Sequence, residues 1–241
     1  GKTILIIGDV ILDRFTWGEV QRISPEAPVP IVEVIEETDR LGGAANVAAN
    51  VRSLDGRPIT IGVVGRDQSG DRLIALFEEL SIDSRCLVSD DRKTTLKTRI
   101  IANSQQLMRT DREERTPLSS ETNQTLKDHF MDALPNADAV VISDYDKGVV
   151  NAALLGSVLT EAHNADVPVF LDPKVHHADY YHPTTLIKPN NREAELLTGI
   201  ALTDRKSLEE AGKRLLNRFK CPYILITRGE DGMSLFDKDE V

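Results

Sequence analysis

Short apolar runs recur along this sequence, at 3–9 (TILIIGD), 59–65 (ITIGVVG), 139–144 (AVVISD), 167–172 (VPVFLD), 185–190 (TLIKPN) and 223–229 (YILITRG). They are far short of the ~20 residues a membrane helix requires. Bounded by turn residues and rich in β-branched side chains, they read as strands buried on both faces of a parallel sheet. Between them apolar residues follow three-and-four spacing: Leu73, Leu76, Phe77 and Leu80; Leu126, Phe130 and Leu134; Leu208, Ala211 and Leu215. That is the stripe of an amphipathic helix. The alternation predicts βαβ crossovers and an α/β class fold with a doubly wound, mostly parallel sheet. Two segments depart from the pattern. Residues 14–38, with Pro25, Pro28 and Pro30 leading into the alternating PIVEVIEE, and residues 94–112, TTLKTRIIANSQQLMRTDR, predict half-exposed strands. These would form a small second sheet beside the core.

The 241 residues, 40% of them hydrophobic, suffice for a sizeable core, in one large α/β domain or two small ones. The formal charge of −10 repels phosphate backbones and anionic membranes, so neither nucleic acid nor membrane is expected as a partner, and small metabolites remain. Cys86 and Cys221 stand alone, without zinc or disulfide spacing, which fits a cytoplasmic location. No leader is visible at the start, and NQT at 123–125 is a chance glycosylation match. His176 and His177 lack a third ligand at suitable spacing. No G-x-G-x-x-G follows the first strand, which leaves a nicotinamide oxidoreductase little support. GRDQSG at 65–70 is followed by Asp71 and Arg72 instead of the Lys and Ser/Thr of a P-loop.

Ligands of open α/β sheets bind beyond the carboxyl ends of the strands. The apolar runs end at Asp9, at Arg66 and Asp67, at Asp144, at Asp172 and Lys174, at Asn190, and at Thr227 and Arg228. Gly42 and Gly43 precede AANVAANV, so a helix opening on bare backbone could lay its N–H groups against hydroxyl or phosphate oxygens, with Asn46 one turn on. A tight turn with close packing explains the glycines equally well, but leaves an amide among apolar neighbours. Asp9 and Asp13 in GDVILD could accept hydrogen bonds from vicinal sugar hydroxyls, or cap a turn. In KPNNRE, Asn190 and Glu193 form either a capping box or a site beside a nucleotide phosphate and its hydrated Mg²⁺. In TRGEDGM, Thr227 and Arg228 lie where a polyphosphate would pass, unless Gly229 and Gly232 simply make a hairpin turn at positive φ. Lys147 and Lys174 are cations that a phosphorylated substrate could use.

With GDVILD, GGAANVA, DPK, KPNNRE and TRGEDGM in this order, the chain resembles the ribokinase-like (B-type phosphofructokinase) carbohydrate kinases along its whole length. RISPEAPVPIVEV, NSQQLMRTD and SDYDKG are similar, within that family, to the kinases of D-glycero-β-D-manno-heptose 7-phosphate, which many bacteria fuse to an adenylyltransferase. The resemblance implies a single ribokinase-like domain over 1–241 that phosphorylates the anomeric hydroxyl of this small-molecule sugar phosphate with ATP and Mg²⁺. It implies as product the 1,7-bisphosphate of ADP-heptose and lipopolysaccharide-core synthesis. It implies that Asp13, Gly42, Gly43 and Asn46 hold the sugar, and that Gln105, Arg109 and Lys174 approach the sugar or its 7-phosphate. Asn190, Asn191, Arg192 and Glu193 would lie at the ATP site with Thr227, Arg228 and Gly229, Glu193 acting on the metal through water. The small sheet would be a lid and the clasp of a homodimer. The family's second signature, a Gly-Ala-Gly-Asp run that supplies an anion hole and the catalytic base, is expected past Val241, so the residues at hand are expected to bind substrate without turnover. A kinase of another sugar, such as ribose or fructose 6-phosphate, and a non-catalytic sugar-binding or dimerisation module are the competing expectations.

Overall fold

All six apolar runs form strands, and they lie side by side. In the computed structural model, which describes residues 1–237, the order of elements is β1 (Thr3–Gly8), β2 (Val10–Ile23), β3 (Pro30–Gly43), α1 (Ala44–Ser53), β4 (Arg57–Gly65), α2 (Gln68–Glu79), β5 (Leu87–Asp90), β6 (Thr95–Ala102) and β7 (Gln105–Arg112). There follow α3 (Ser120–Ala133), β8 (Ala139–Ser143), α4 (Ala152–Asn164), β9 (Val169–Asp172), β10 (Leu186–Ile187), α5 (Asn191–Thr198), α6 (Arg205–Phe219), β11 (Tyr223–Thr227) and β12 (Met233–Phe236). The main sheet runs β12-β11-β10-β9-β8-β1-β4-β5, parallel except for β12 at one edge. Both faces are covered. Leu5 and Ile7 point into a cluster with Phe130, Leu155 and Leu171, whereas Ile6 joins Ala44, Leu73 and Phe77 on the other side. This period-2 division of one continuous apolar run is what a strand buried on both faces requires. The chain leaves β1 in opposite directions, to β4 on one side and to β8 on the other, which places a switch point beyond the carboxyl end of β1.

The second sheet has the order β3-β2-β6-β7, with β2 and β6 parallel. Its strands outrun the expected 14–38 segment at both ends because they root in the core: Val10, Ile11, Leu12 and Leu41 are buried. Only Asp9 separates β2 from β1. The glycine pair therefore ends a strand. Gly42 and Gly43 are the last residues of β3, Gly43 is the N-cap of α1 with φ 58°, and Ala44 is the first helical residue. Ala44, Ala45 and Ala48 are fully buried, so the helix sits close to the sheet, while Asn46 is exposed. The amide lies on the open side of α1 and has no apolar surroundings to explain.

Salt bridges and caps tie the small sheet to α2. Asp39 on β3 accepts from Arg14 at 2.8 Å and from Arg72 at 3.3 Å. Asp67 caps α2 through the Gly70 N–H and also accepts the Thr94 N–H at 3.1 Å, just before β6 begins. Arg112, at the end of β7, donates to the Ser69 hydroxyl.

Candidate active site

The switch point is organised by Asp9. It is 2% exposed and accepts three backbone N–H groups, from Tyr145 and Lys147 on one oxygen and from Val149 on the other, at 2.9–3.1 Å. Burial nevertheless raises its pKa. Asp9 thus shapes the 144–149 loop through backbone N–H groups on both oxygens, the turn-capping alternative for GDVILD rather than the receipt of sugar hydroxyls. Lys147 is likewise committed, to Glu113 at 2.7 Å.

Asp13 faces the crevice from β2. Its carboxylate lies over Gly42: a Cβ built there would be 2.9 Å from Asp13 Cγ and closer still to Oδ2. Gly42 is bare because the carboxylate occupies the place of its side chain. Gly43 has a different reason, since its φ is positive and a Cβ would meet the Asp9 carbonyl oxygen. That oxygen receives the Ala44 N–H at 3.0 Å. The register puts Asp13, Arg40 and Lys97 in one row and Phe15, Arg99 and Arg109 in the next, on the same face of the small sheet. Arg99 pairs with Asp13 at 2.5 Å, and the guanidinium carbons of Arg40 and Arg99 lie 5.1 and 5.2 Å from the Phe15 ring centre. Lys97 reaches across to Tyr145, with its ammonium 5.8 Å from the ring centre, and Lys174 of the main domain approaches the same ring at 5.6 Å. Burial lowers the Lys97 pKa. Burial would lower Lys174 too, but Glu193 and Asp172 outweigh it and raise its pKa.

Lys174 links this row to the start of α5. Its ammonium lies 2.9 Å from Glu193 Oε1, while Oε2 accepts the Asn190 N–H and Asn190 Oδ1 accepts the Glu193 N–H. The capping box weighed for KPNNRE is therefore present. Glu193 uses one acceptor position on each oxygen and keeps the others free, so it could accept a hydrogen bond from a metal-bound water. Arg192 is exposed. Asn191 Oδ1 is buried without a hydrogen-bond partner, and the residue lines a cavity of about 350 Å³ shared with Thr203, Asp204, Arg205, Arg228 and Asp231. Thr227 bridges to Asn190, and Gly229 and Gly232 adopt φ 63° and 80° in the β11–β12 hairpin, as the turn reading of TRGEDGM requires. Apart from its chain neighbours, no atom of the described residues comes within 4 Å of a Cβ built at Gly229, which leaves open space at its backbone. Among the described residues no three His, Cys, Asp or Glu side chains cluster to ligate a metal.

The model of the pfkB family of carbohydrate kinases matches residues 2–241. The chain belongs to this family. It is 41% identical to the bifunctional protein HldE of Helicobacter hepaticus over 99% of this chain and 50% of that protein. It is 44% identical to HldE of Caulobacter vibrioides over 98% of this chain and 48% of the relative. The chain thus spans about half the length of the curated relatives it matches. Among solved structures, phosphofructokinase-2 from Escherichia coli in complex with substrates and products superposes with a TM-score of 0.78 at 18% identity, over 99% of this chain and 76% of that one. That likeness is one of fold: a ribokinase-like α/β sheet carrying a second, smaller sheet.

For this pfkB-family chain, one residue expected at the site falls elsewhere. β7 carries a bulge, so Gln106 pairs with Ile101 and Gln105 with Ala102. The register sets Gln106, not Gln105, on the face of Arg109. Arg109 itself is paired with Asp111 at 2.8 Å. Sequence reasoning missed Phe15, Arg40, Lys97, Arg99 and Tyr145. The period-2 spacing of Asp13 with Phe15, of Lys97 with Arg99 and of Arg109 with Asp111 was the available signal, since alternate residues share a face of a strand. The catalytic base expected past Val241 lies outside the described residues. No helix among those residues is long and apolar enough to cross a membrane.

Proposed function

We propose that this carbohydrate kinase phosphorylates the anomeric hydroxyl of D-glycero-β-D-manno-heptose 7-phosphate, with ATP and Mg²⁺, to give the 1,7-bisphosphate of ADP-heptose and lipopolysaccharide-core synthesis in the cytoplasm. The observation that carries this reading is the row Asp13, Lys97, Tyr145, Lys174 and Glu193, which runs without a break from the small sheet to the start of α5. A sugar phosphate suits one end of such a row and a nucleotide the other.

In this reading Asp13 accepts hydrogen bonds from sugar hydroxyls, held in place by Arg99 and by the bare Gly42, while the exposed Asn46 offers an amide to the same ring. Gly43 shapes the turn that leads into α1. Lys97, Arg109 and Lys174 supply positive charge for the 7-phosphate, and the register favours Gln106 over Gln105 as its amide neighbour. ATP, when bound, supplies the phosphoryl group. Asn190, Asn191, Arg192 and Glu193 with Thr227, Arg228 and Gly229 would hold it, the unpartnered Asn191 oxygen and the open Gly229 backbone being the features that fit a ligand. Mg²⁺ would be held mainly by phosphates and water, with Glu193 behind the water. The small sheet acts as a lid within one ribokinase-like domain, and its closure excludes water as a competing acceptor. Val34, Ile35 and Met108 on that sheet are each more than half exposed, at 57%, 68% and 53%, which supports a homodimer clasped through the lid.

Calorimetric titration with heptose 7-phosphate, ribose and fructose 6-phosphate, each with and without a non-hydrolysable ATP analogue and Mg²⁺, tests the proposal. The heptose phosphate should bind most tightly. Equal or tighter binding of either other sugar would overturn the assignment.

A further inference from the structure

Lys174 is held by more than its ion pair. Its backbone N–H donates to the Tyr181 hydroxyl at 2.8 Å, and its carbonyl accepts the His177 N–H at 3.0 Å. Tyr181 and His177 then converge on one atom. The Tyr181 hydroxyl donates to Asp144 Oδ2 at 2.6 Å, and His177 Nδ1 lies 2.6 Å from the same oxygen. Tyr181 and the Asp144 side chain are both fully buried. Burial and the Asp144 charge push the Tyr181 pKa far up, so the hydroxyl keeps its proton. A carboxylate that accepts from Tyr181, and from the Asp146 N–H at 2.8 Å on its other oxygen, requires Nδ1 of His177 to carry a proton as well.

The network has a clear output. Asp144 directly precedes Tyr145, whose ring faces the Lys174 ammonium, so one buried carboxylate fixes the backbone of Lys174 and the origin of the ring it approaches. Tyr181 and Asp144 are closed off from solvent, and His177 borders a separate cavity with Asp146 and Asn151, so within this network only Lys174 carries a charge into the row described above.

We infer that Tyr181 and His177, joined through Asp144, are positioning residues that aim Lys174 at the phosphate of the sugar substrate. The inference rests on the proposed function, in which Lys174 contacts that phosphate. Tyr181→Phe removes the hydroxyl that holds the Lys174 amide and keeps the ring that fills the core. His177→Ala removes the second donor, and His177→Asn restores a donor at the position of Nδ1. Lys174→Met removes the charge itself.

The experiment is calorimetric titration of each variant with heptose 7-phosphate, after thermal melts have confirmed a cooperative fold. Because the Lys174 charge remains and only its aim is loosened, less than a full charge-assisted contact is lost, and the Kd should rise roughly three- to tenfold for Tyr181→Phe and for His177→Ala. His177→Asn should return to near the wild-type value. The double variant Lys174→Met/Tyr181→Phe should bind no more weakly than Lys174→Met alone, because Tyr181 acts only through Lys174. Should Tyr181→Phe fail to fold, the two His177 variants carry the same test. If Lys174→Met weakens binding while Tyr181→Phe leaves it unchanged, or adds its full effect to that of Lys174→Met, the positioning role is wrong and the proposed function stands. Wild-type affinity in Lys174→Met overturns the positioning role and the placement of Lys174 at the phosphate, whereas the substrate assignment itself falls only if another sugar binds as tightly as the heptose phosphate.

Discussion

Gly42→Ala separates a binding role of the glycine pair from a packing role. The backbone of Gly42 lies in the β2–β3 ladder opposite Ile11 and has no positive φ, so a methyl group adds no backbone strain there. What the methyl meets is the Asp13 carboxylate, with Cγ at 2.9 Å and Ile11 Cβ at 3.2 Å. A carboxylate at the end of a side chain can rotate away, and in doing so it leaves Arg99, now 2.5 Å from it. Both side chains of that pair are about one-fifth exposed, at 21% and 23%, so water takes over part of the lost contact. The stability loss should be about 1 kcal/mol, below the ~1.5–3 kcal/mol of a dry charge-assisted hydrogen bond. For a chain of this size that corresponds to a fall in Tm of roughly 2–4 °C. A sugar that depends on Asp13 loses an aligned acceptor, which is worth about 1.5–3 kcal/mol, or roughly ten- to a hundredfold in Kd. Differential scanning calorimetry and titration with heptose 7-phosphate, run on Gly42→Ala beside Asp13→Asn, give both numbers. Wild-type affinity in Gly42→Ala, or a stability loss of several kcal/mol, would show that Gly42 serves packing and that the reasoning about Asp13 is mistaken.

Other consequences are equally direct. Gly43→Ala should lose about 2–4 kcal/mol of stability, from left-handed strain and a collision with backbone that cannot move, and a chemical-denaturation curve will show it. Burial acts to raise the Asp67 pKa, but the Gly70 and Thr94 donors prevail and hold it below the usual carboxylate range. Its stabilisation is therefore complete above about pH 4 and is lost as pH falls through the depressed value, a dependence that Asp67→Asn should flatten in melts taken across acid pH. Burial lowers the Lys97 pKa, so its ammonium is lost at a lower pH than that of an exposed lysine. As pH rises through that value, sugar-phosphate affinity should fall while the fold gains stability, and Lys97→Met should remove both trends from titrations and melts.

The main sheet was legible because most of its strands are short runs rich in β-branched residues and bounded by turns, and length and composition decide for a strand where a continuous apolar run shows no period. The root of the small sheet was not. Val10, Ile11 and Leu12 continue the apolar run of β1 past a single Asp, and nothing in GDVILD marks where one sheet ends and the other begins. The glycine pair misled for a related reason: Gly42 and Gly43 close a strand, and their need for bare backbone comes from Asp13 and the Asp9 carbonyl, which lie some thirty residues away in sequence. For Asn190 with Glu193 spacing leaves a capping box and a phosphate-side site as alternatives; the capping box is present, and the same carboxylate also holds Lys174, a contact between two motifs that spacing cannot reveal. Lys97, Arg99 and Tyr145 escaped notice because cross-strand and inter-sheet neighbours are set by register.

The most direct test of the account is a crystal structure of the chain with heptose 7-phosphate and a non-hydrolysable ATP analogue. The sugar should lie between the small sheet and the carboxyl end of β1, its hydroxyls on Asp13 over Gly42 and its phosphate facing Lys97 and Lys174. A sugar seated elsewhere, with Gly42 and Asp13 touching only protein, would contradict it.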